Sequence, residues 1–298
     1  MVNKVVNRIE AKSILNKQKK RDSWFLVDYS VNPYQGCPFG CIYCYTRGSK
    51  YGTHLARTLS VKVNAPELLD RQLSRRAEKK EYGIIAFASQ EAYPPIEEEL
   101  GVTRTLLEIC LKHRFPVFIG TKSTLVVRDL DILREIDRNA LLPDDLKPRL
   151  NRGAIVSVSL STVDERLARI FEPGAPTPME RLETMGRCQK EGFLTGVNFI
   201  PVLPFLSDSD ERLEEMIKAA SDLRAGFVLV GGLTLFGEGP TDCRTLYFKA
   251  LEVHFPELVP KYQDLFGGSF GPPWRYQKVL ERRAKALCER YGVIYGIA

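Results

Sequence analysis

Three of the seven cysteines lie in one short segment, and their spacing is the first indication of chemistry. Cys37, Cys41 and Cys44 follow a Cys-x3-Cys-x2-Cys pattern in a turn-rich stretch that begins at Asn32. Thiolate ligands favour zinc, cuprous copper or iron–sulfur clusters, and a cubane cluster ordinarily takes four protein ligands. Because this segment offers only three, one metal of such a cluster would stay open to a small molecule, and chemistry could take place there.

A structural zinc site is the alternative interpretation of these cysteines. Such sites use four ligands, commonly as two short pairs with Cys-x2-Cys spacing. The segment has one such pair and no partner pair downstream, since the other four cysteines are scattered singly: Cys110, Cys188, Cys243 and Cys288. The spacing therefore favours a cluster over zinc, and reduced thiols over a disulfide framework.

Composition and charge set the class of protein. The chain has 298 residues, 44% hydrophobic and 27% charged, as in ordinary globular proteins. Its formal charge of +6 is compatible with a polyanionic partner. No apolar run approaches the ~20 residues that span a bilayer, and the polar N-terminus lacks the apolar core of a signal peptide. We therefore expect a cytoplasmic protein without a membrane partner, and a monomer.

Beyond the cysteines, short apolar runs alternate with stretches of helical periodicity. The apolar runs predict buried strands at residues 83–88, 117–121, 154–160, 196–202 and 227–233, after a first strand at 24–29. Helices are predicted at residues 103–113, 129–138, 179–191 and 210–223. This alternation indicates parallel βαβ units with right-handed crossovers. About six units precede residue 236, too few for a closed eight-stranded barrel, so the predicted fold is an α/β partial (β/α)6 barrel.

The predicted domain organisation has three parts. Residues 1–22 form a basic N-terminal arm, either solvated or in contact with phosphates, and residues 23–236 form the partial barrel. Residues 237–298 form a C-terminal elaboration that covers the barrel. Within it, Trp274, Arg275 and Tyr276 follow a Gly/Pro loop. These three residues either stack on bases and clamp phosphates or pack on the barrel as the start of a helix.

Several motifs make the chain resemble the radical S-adenosylmethionine (radical SAM) enzymes, and among them the spore photoproduct lyase-like branch. Besides the three cysteines, the motifs lie between residues 31 and 235: Asn32-Pro33-Tyr34, Cys44-Tyr45, Pro94-Pro95-Ile96-Glu97, Thr121-Lys122-Ser123, Arg128-Asp129 and Phe171-Glu172-Pro173-Gly174. The family's fold is a partial (β/α)6 barrel. The resemblance also implies a [4Fe–4S] cluster and S-adenosylmethionine as cofactors, with an external one-electron reductant such as a flavodoxin or ferredoxin.

The chemistry that the resemblance implies follows from the open iron. Three thiolates hold three irons of the cluster, and the amino and carboxylate groups of S-adenosylmethionine chelate the fourth. One electron then cleaves the sulfonium to methionine and a 5′-deoxyadenosyl radical, which abstracts hydrogen from the substrate. The protein supplies binding, orientation and exclusion of water.

The cofactor contacts are also carried over by the resemblance. Tyr43 would place its backbone near the adenine, and Lys122 would reach the carboxylate of S-adenosylmethionine. Ser159 would meet the ribose or the amino-acid end of the cofactor, and a polar segment ends the second strand: Ser89, Gln90 and Glu91. Independently of the family, ligand contacts belong at the carboxyl ends of barrel strands. Asn198 lies inside an apolar strand, where it either contacts the adenine or substrate or is a satisfied core amide.

One position departs from the lesion-repair lyases. They return a hydrogen atom to the product from a cysteine at the end of the second strand, where this chain has Ala88. Tyr45 matches a tyrosine of the same relay and is either a donor or a packed aromatic. The leading hypothesis is a lyase or base-modifying enzyme that acts on nucleic acid, DNA more than RNA. The alternatives are a radical enzyme for a small molecule or peptide, and a structural iron–sulfur or zinc module.

Overall fold

The computed structural model describes residues 6–49 and 59–297. The strands are β1 (Asn7–Ile9), β2 (Leu15–Lys17), β3 (Tyr29–Val31), β4 (Tyr34–Gln35), β5 (Ser60–Lys62), β6 (Ile85–Phe87), β7 (Val117–Thr121), β8 (Ala154–Leu160), β9 (Leu194–Val202), β10 (Phe227–Gly232) and β11 (Ile294–Tyr295). The helices are α1 (Ala65–Glu78), α2 (Glu97–Leu100), α3 (Val102–Lys112), α4 (Leu130–Asn139), α5 (Glu165–Phe171), α6 (Pro178–Lys190), α7 (Asp210–Asp222), α8 (Cys243–His254), α9 (Val259–Phe266) and α10 (Trp274–Tyr291). Short 3-10 helices lie at Thr124–Asp129 and Pro256–Leu258.

The main sheet has the strand order β11-β10-β9-β8-β7-β6-β3-β2. Every neighbouring pair from β3 to β11 is parallel, and β2 runs antiparallel to β3. Strands β3, β6, β7, β8, β9, β10 and β11 are thus mutually parallel, one strand more than the six that the sequence rhythm indicates. Within the described residues the sheet ends at β2 on one side and β11 on the other, so the fold is an open, mostly parallel α/β sheet.

The predicted first strand at residues 24–29 is wrong. Only its last residue, Tyr29, lies in β3, which continues to Val31. The side chain of Asp22 accepts hydrogen bonds from the backbone N–H groups of Trp24 and Phe25, both at 2.8 Å, and this forms a turn. Leu26 then has a φ of 57°, outside the extended region. An apolar segment therefore bends over the sheet instead of joining it.

Helices pack on the main sheet, and apolar side chains occupy its inner face. Helices α1, α3 and α4 bury leucines and isoleucines against one half of the sheet, and α6, α7 and α10 cover the other half. The inner face carries Phe118, Ile155, Phe227 and Leu229, all at most 3% exposed. These side chains occupy the interior, while the loops that follow the strands surround an open space.

Strands near both ends of the described part of the chain take part in sheets. β1 pairs with β5, which also pairs with β4 in a small second sheet. β2 and β11 form the two edges of the main sheet, and α10 packs beside α7 against β10. The predicted division at residues 22 and 236 stays a prediction, and residues 1–5 of the arm lie outside the described part. Among the described residues, no helix combines the length and the apolar character needed to cross a membrane.

Candidate active site

A cavity of about 630 Å³ lies where the parallel strands end, and it brings the predicted site residues together. Its volume is within the range of ordinary ligand sites. The lining includes all eleven residues that the sequence singles out, together with Ala88: Cys37, Cys41, Tyr43, Cys44, Tyr45, Ser89, Gln90, Glu91, Lys122, Ser159 and Asn198. Their roles stay predictions, and the fold supplies the proximity those roles require.

The cysteine loop follows β4 and is built from tight turns. The Cys44 N–H donates to the Cys41 carbonyl at 3.3 Å, and the Arg47 N–H donates to the Cys44 carbonyl at 2.9 Å. Burial raises the pKa of Cys41 to about 12 and also raises the pKa of Cys37 above its ordinary value. Thiols of this kind become thiolates when a metal displaces their protons.

One buried carboxylate, Glu97, anchors the segment before the cysteines. It accepts hydrogen bonds from the hydroxyl of Tyr34 and from the Thr103 N–H at 2.9 Å. Arg128 donates to the Glu97 carboxylate at 2.7 Å and to Asp129 at 2.8 Å. These five residues, the Glu97 network, connect three of the motifs on which the resemblance depends.

A second buried carboxylate, Glu172, anchors the cysteine loop itself. Its oxygens accept hydrogen bonds from the hydroxyl of Tyr43, from Ser161 Oγ at 2.9 Å, and from the guanidinium of Arg181. The ammonium of Lys122 lies 3.8 Å from Glu172 Oε1 and 5.8 Å from the ring centroid of Tyr43. These five residues, the Glu172 network, come from the cysteine loop, two strand ends and two helix regions.

Electrostatics keep the Glu172 network charged. Burial alone would raise the pKa of Glu172, but the charges of Lys122 and Arg181 and the hydrogen bonds outweigh it, so the pKa is lowered. Burial and the negative charge of Glu172 raise the pKa of Tyr43 well above its ordinary value. The phenol therefore stays protonated and donates to the carboxylate.

The sequence pattern did not indicate Arg181 and Ser161 as parts of this site. Glu172 stands in a motif of the resemblance, but Arg181 lies on a helix rich in charged residues, where an arginine is usually solvated. In the structure Arg181 is 1% exposed and also donates to the carbonyls of Pro176 and Ser159, at 2.7 and 2.9 Å. A charge buried to this degree requires partners, and only the fold reveals them.

Residues on both sides of Glu172 pack directly on the backbone of the cysteine loop. The Gly174 N–H donates to the Phe39 carbonyl at 2.9 Å, and the Ile42 N–H donates to the Phe171 carbonyl at 3.0 Å. A Cβ on Gly174 would lie 2.8 Å from the Pro38 carbonyl oxygen and 2.9 Å from that of Phe39. Any larger residue at Gly174 would push the loop away.

Gln90 and Glu91 make their hydrogen bonds within the protein. Gln90 Oε1 accepts from the Gly36 N–H at 3.1 Å, next to the first cysteine. The Glu91 carboxylate accepts from Thr121 Oγ1 at 2.5 Å and from the Lys122 N–H at 3.0 Å. Both side chains therefore hold other parts of the site in place, and their direct contact with a cofactor stays a prediction.

Asn198 is a buried amide with an acceptor left over. Its Nδ2 donates to Ser157 Oγ at 2.7 Å, while Oδ1 is buried without a hydrogen-bond partner. Such an atom costs about 1–3 kcal/mol unless a donor reaches it. Next to it, a Cβ on Gly120 would lie 2.9 Å from the Ala88 Cβ. The site thus offers a close-fitting wall with an acceptor for a group that donates.

These observations fit the cofactors that the resemblance implies. Cys37, Cys41 and Cys44 would hold the cluster, Lys122 would meet a carboxylate, and Asn198 Oδ1 would accept from the amino group of an adenine. No three His, Cys, Asp or Glu side chains in the described part of the chain converge on a single metal position.

The other side of the cavity is aromatic and more open. Trp24 is 39% exposed and Tyr45 is 50% exposed, and both line the cavity together with Phe25 and Phe236. Apart from the three loop cysteines, no thiol lines the cavity within the described residues. Cys243 is fully buried behind this wall, where its sulfur accepts from the Phe236 N–H at 3.0 Å.

The aromatic and basic segment at the start of α10 does not line the cavity in the described structure. Trp274 is 70% exposed, whereas the hydroxyl of Tyr276 donates to Asp208 Oδ2 at 2.8 Å. Tyr276 is thus packed on the fold, and Trp274 is available to a partner outside the cavity.

Comparison with known proteins bears on the resemblance that the motifs indicate. The Radical SAM superfamily profile matches residues 31–220. An uncharacterised protein of Mycobacterium tuberculosis is 29% identical over 292 residues, which cover 96% of this chain and 80% of that protein. The radical SAM Nalpha-GlyT isomerase of Pseudomonas phage M6 is 22% identical over 238 residues, covering 79% and 45% of the two chains.

A solved structure with a similar fold is that of a spore photoproduct lyase complexed with dinucleoside spore photoproduct. It has a TM-score of 0.64 and 14% sequence identity, and the match covers 97% of this chain and 80% of that one. The profile spans more than half of the chain and includes the three cysteines, Lys122 and Asn198. The chain therefore belongs to the radical SAM superfamily, whose cofactors are a [4Fe–4S] cluster and S-adenosylmethionine.

Proposed function

We propose that this radical SAM enzyme acts on nucleic acid, DNA more than RNA, by abstracting a hydrogen atom from a nucleotide. The bound cofactors supply a 5′-deoxyadenosyl radical by reductive cleavage, with an electron from a flavodoxin or ferredoxin. The observation that carries the substrate class is the aromatic wall of the cavity, where Trp24 and Tyr45 are 39% and 50% exposed.

Flat aromatic faces beside an open cavity suit stacking with bases. Stacking of this kind contributes about 1–3 kcal/mol per base and tolerates different sequences. Enzymes that act on a base take it out of the helical stack and hold it between such side chains. The formal charge of +6 also favours a polyanion. The similar fold of a spore photoproduct lyase complexed with a dinucleoside supports the proposal at the level of fold.

The proposed site has two sides. The cysteine loop, Lys122 and Asn198 would hold the cofactors against the buried side, and Trp24 and Tyr45 would hold the nucleotide on the open side. The substrate is thus placed between the cofactor and the aromatic wall.

Ala88 limits the outcome of the reaction. A methyl group at this strand end has no easily transferred hydrogen, and the described lining of the cavity has no thiol besides the cluster cysteines. Tyr45, the proposed catalytic residue, is a phenol that lines the cavity and can give its O–H hydrogen to a substrate radical. Lesion cleavage would use this donor and leave a tyrosyl radical, which one electron from the flavodoxin or ferredoxin and one proton would return to the phenol.

The test is anaerobic turnover of the reconstituted enzyme in deuterated buffer with short DNA and RNA strands. We expect a DNA strand to raise 5′-deoxyadenosine several-fold over the substrate-free reaction, and deuterium to enter the strand when hydrogen is returned. Trp24→Ala should weaken strand binding about tenfold and leave the affinity for S-adenosylmethionine unchanged. Binding should also fall with salt, with a slope that reflects several phosphate contacts.

The alternatives give different results in the same experiment. A radical enzyme for a small molecule or peptide would show no response to any strand, and its binding to DNA would be weak and unaffected by Trp24→Ala. A structural module would produce no 5′-deoxyadenosine under any condition. Zinc in place of iron in the isolated protein would also contradict the proposal.

A further inference from the structure

Glu172 is a buried carboxylate that contacts two residues of the cavity lining, Tyr43 and Lys122. We infer that it is a positioning residue, which aims Lys122 at the carboxylate of S-adenosylmethionine while Arg181 offsets its charge. The inference concerns the cofactor that the superfamily uses and is independent of the nucleic-acid substrate. It adds two positioning residues, Glu172 and Arg181, to the set that the sequence pattern indicates.

The distances show that Lys122 is held but not fully paired. Its ammonium lies 3.8 Å from Glu172 Oε1, beyond hydrogen-bond length, while Oε1 already accepts from Ser161 at 2.9 Å and from Tyr43. The ring of Tyr43 holds the ammonium from a second direction, at 5.8 Å from its centroid. The side chain of Lys122 is 14% exposed and lines the cavity. Its donors are thus aimed at a space that a ligand would occupy.

The Glu172 network carries one more positive charge than negative charge. Glu172 carries one negative charge, and Arg181 and Lys122 each carry one positive charge. Arg181 is fixed by Pro176 and Ser159 carbonyls as well as by Glu172, and its side chain is only 1% exposed. Arg181 therefore neutralises Glu172, and the remaining positive charge is that of Lys122. An anion in the cavity would pair with Lys122 without competing against a full ion pair.

The ion pair of Asp137 and Arg152, elsewhere in the same fold, has a purely structural role. Asp137 accepts from the Ala154 N–H at 2.9 Å and pairs with Arg152 at 2.7 Å, at the start of β8. This is the opposite end of the strand from Ser159, and neither Asp137 nor Arg152 lines the cavity. Asp137 is therefore a matched control for Glu172.

The experiment compares Glu172→Gln with Asp137→Asn, each reconstituted with its cluster and tested without nucleic acid. Calorimetry measures the affinity for S-adenosylmethionine and for its decarboxylated analogue, and iron content is measured on the same samples. We expect Glu172→Gln to lower the affinity for S-adenosylmethionine about tenfold, which is 1.4 kcal/mol. The affinity for the analogue should stay unchanged. Asp137→Asn should change neither affinity.

Two results would overturn the inference. Tighter binding of S-adenosylmethionine to Glu172→Gln would show that Glu172 only competes for Lys122. Equal weakening of both ligands would show a general structural loss. Should Glu172→Gln fail to fold, Glu172→Asp keeps the charge but withdraws it from Lys122, and unchanged affinity for S-adenosylmethionine in that variant would also overturn the inference. These binding measurements contain no nucleic acid. A negative result in the nucleic-acid turnover assay would therefore not change their interpretation.

Discussion

Two buried carboxylates, Glu97 and Glu172, each bind a tyrosine of the segment that carries the cysteines. Glu97 binds the hydroxyl of Tyr34, which precedes the cysteines, and Glu172 binds the hydroxyl of Tyr43, which lies among them. Both carboxylates also pair with an arginine, Arg128 in one case and Arg181 in the other. The two networks thus repeat one chemical arrangement, a tyrosine and an arginine on a buried carboxylate.

The difference lies in what each network presents to the cavity. None of the residues of the Glu97 network lines the cavity, whereas Tyr43 and Lys122 of the Glu172 network do. Arg128 is 26% exposed on the outer side, while Arg181 is 1% exposed. Similar ion pairs therefore have two roles. The Glu97 network supports the loop, whereas the Glu172 network also presents a cation to the cavity. Four sets of variants can break or sharpen this distinction.

Glu97→Gln should have the largest effect on stability. The amide would face Arg128, Thr103 and Tyr34 with one of its own donors, and breaking a buried pair of this kind costs about 3 kcal/mol. Chemical denaturation of the apoprotein measures the loss. The affinity of the remaining folded protein for S-adenosylmethionine should stay within twofold, and a tenfold loss would show that the Glu97 network also serves the cavity.

Gly174→Ala should follow, because its Cβ would meet the Pro38 and Phe39 carbonyl oxygens at 2.8 and 2.9 Å. Overpacking against backbone costs about 2 kcal/mol, and the displaced loop should bind less iron per chain after reconstitution. The control is Gly186→Ala in α6, where the Cβ meets only a methyl group of Leu223 at 3.3 Å. Unchanged iron content in Gly174→Ala would argue against a role of this segment in placing the loop.

Lys122→Gln tests the cavity side directly. Without the cation that faces the cofactor's carboxylate, the affinity for S-adenosylmethionine should fall about tenfold, or 1.4 kcal/mol. The free energy of unfolding should change little. Lys62→Gln is the matched control, since Lys62 donates to the Asn32 carbonyl at 2.8 Å and does not line the cavity. If both lysine variants weaken the cofactor equally, the assignment of Lys122 to the carboxylate is wrong.

The smallest effects come from a matched pair of phenol deletions. Tyr34→Phe and Tyr43→Phe each remove one hydrogen bond to a buried carboxylate, and each should lower the free energy of unfolding by about 1 kcal/mol. Only Tyr43→Phe should also change the electron paramagnetic resonance spectrum of the reduced cluster on addition of S-adenosylmethionine. Identical spectra for the two variants would remove the distinction between the networks.

The sequence pattern predicted the sheet well where strands are buried on both faces. β7 and β8 have the predicted bounds, and β9 and β10 differ from prediction by two residues or fewer at each end. A strand covered on both faces is a continuous apolar run, so burial alone marks it. The first strand was mispredicted because the local turn at Asp22 and the left-handed Leu26 exclude pairing, and apolar content does not report either feature.

The site was predictable to the extent that it depends on strand ends. The cysteine loop and the residues at the ends of successive parallel strands, among them Lys122 and Ser159, meet because the carboxyl ends of such strands lie together. Arg181 and Trp24 gave no such signal. An arginine on a helix rich in charged residues and a tryptophan in an apolar run look ordinary until the neighbouring elements are in place.

By itself, the sequence determined the three-cysteine loop and the alternation of the buried strands β6 to β10 with helices, because these depend on spacing and periodicity along the chain, and its motifs indicated the superfamily. Only the tertiary structure decided which side chains face the cavity, how Glu172 shares its oxygens among Tyr43, Ser161 and Arg181, and that Asn198 keeps a free acceptor. The physical reason is that burial and pairing of polar groups are set by distant segments packing together, and no local pattern encodes which of them will meet.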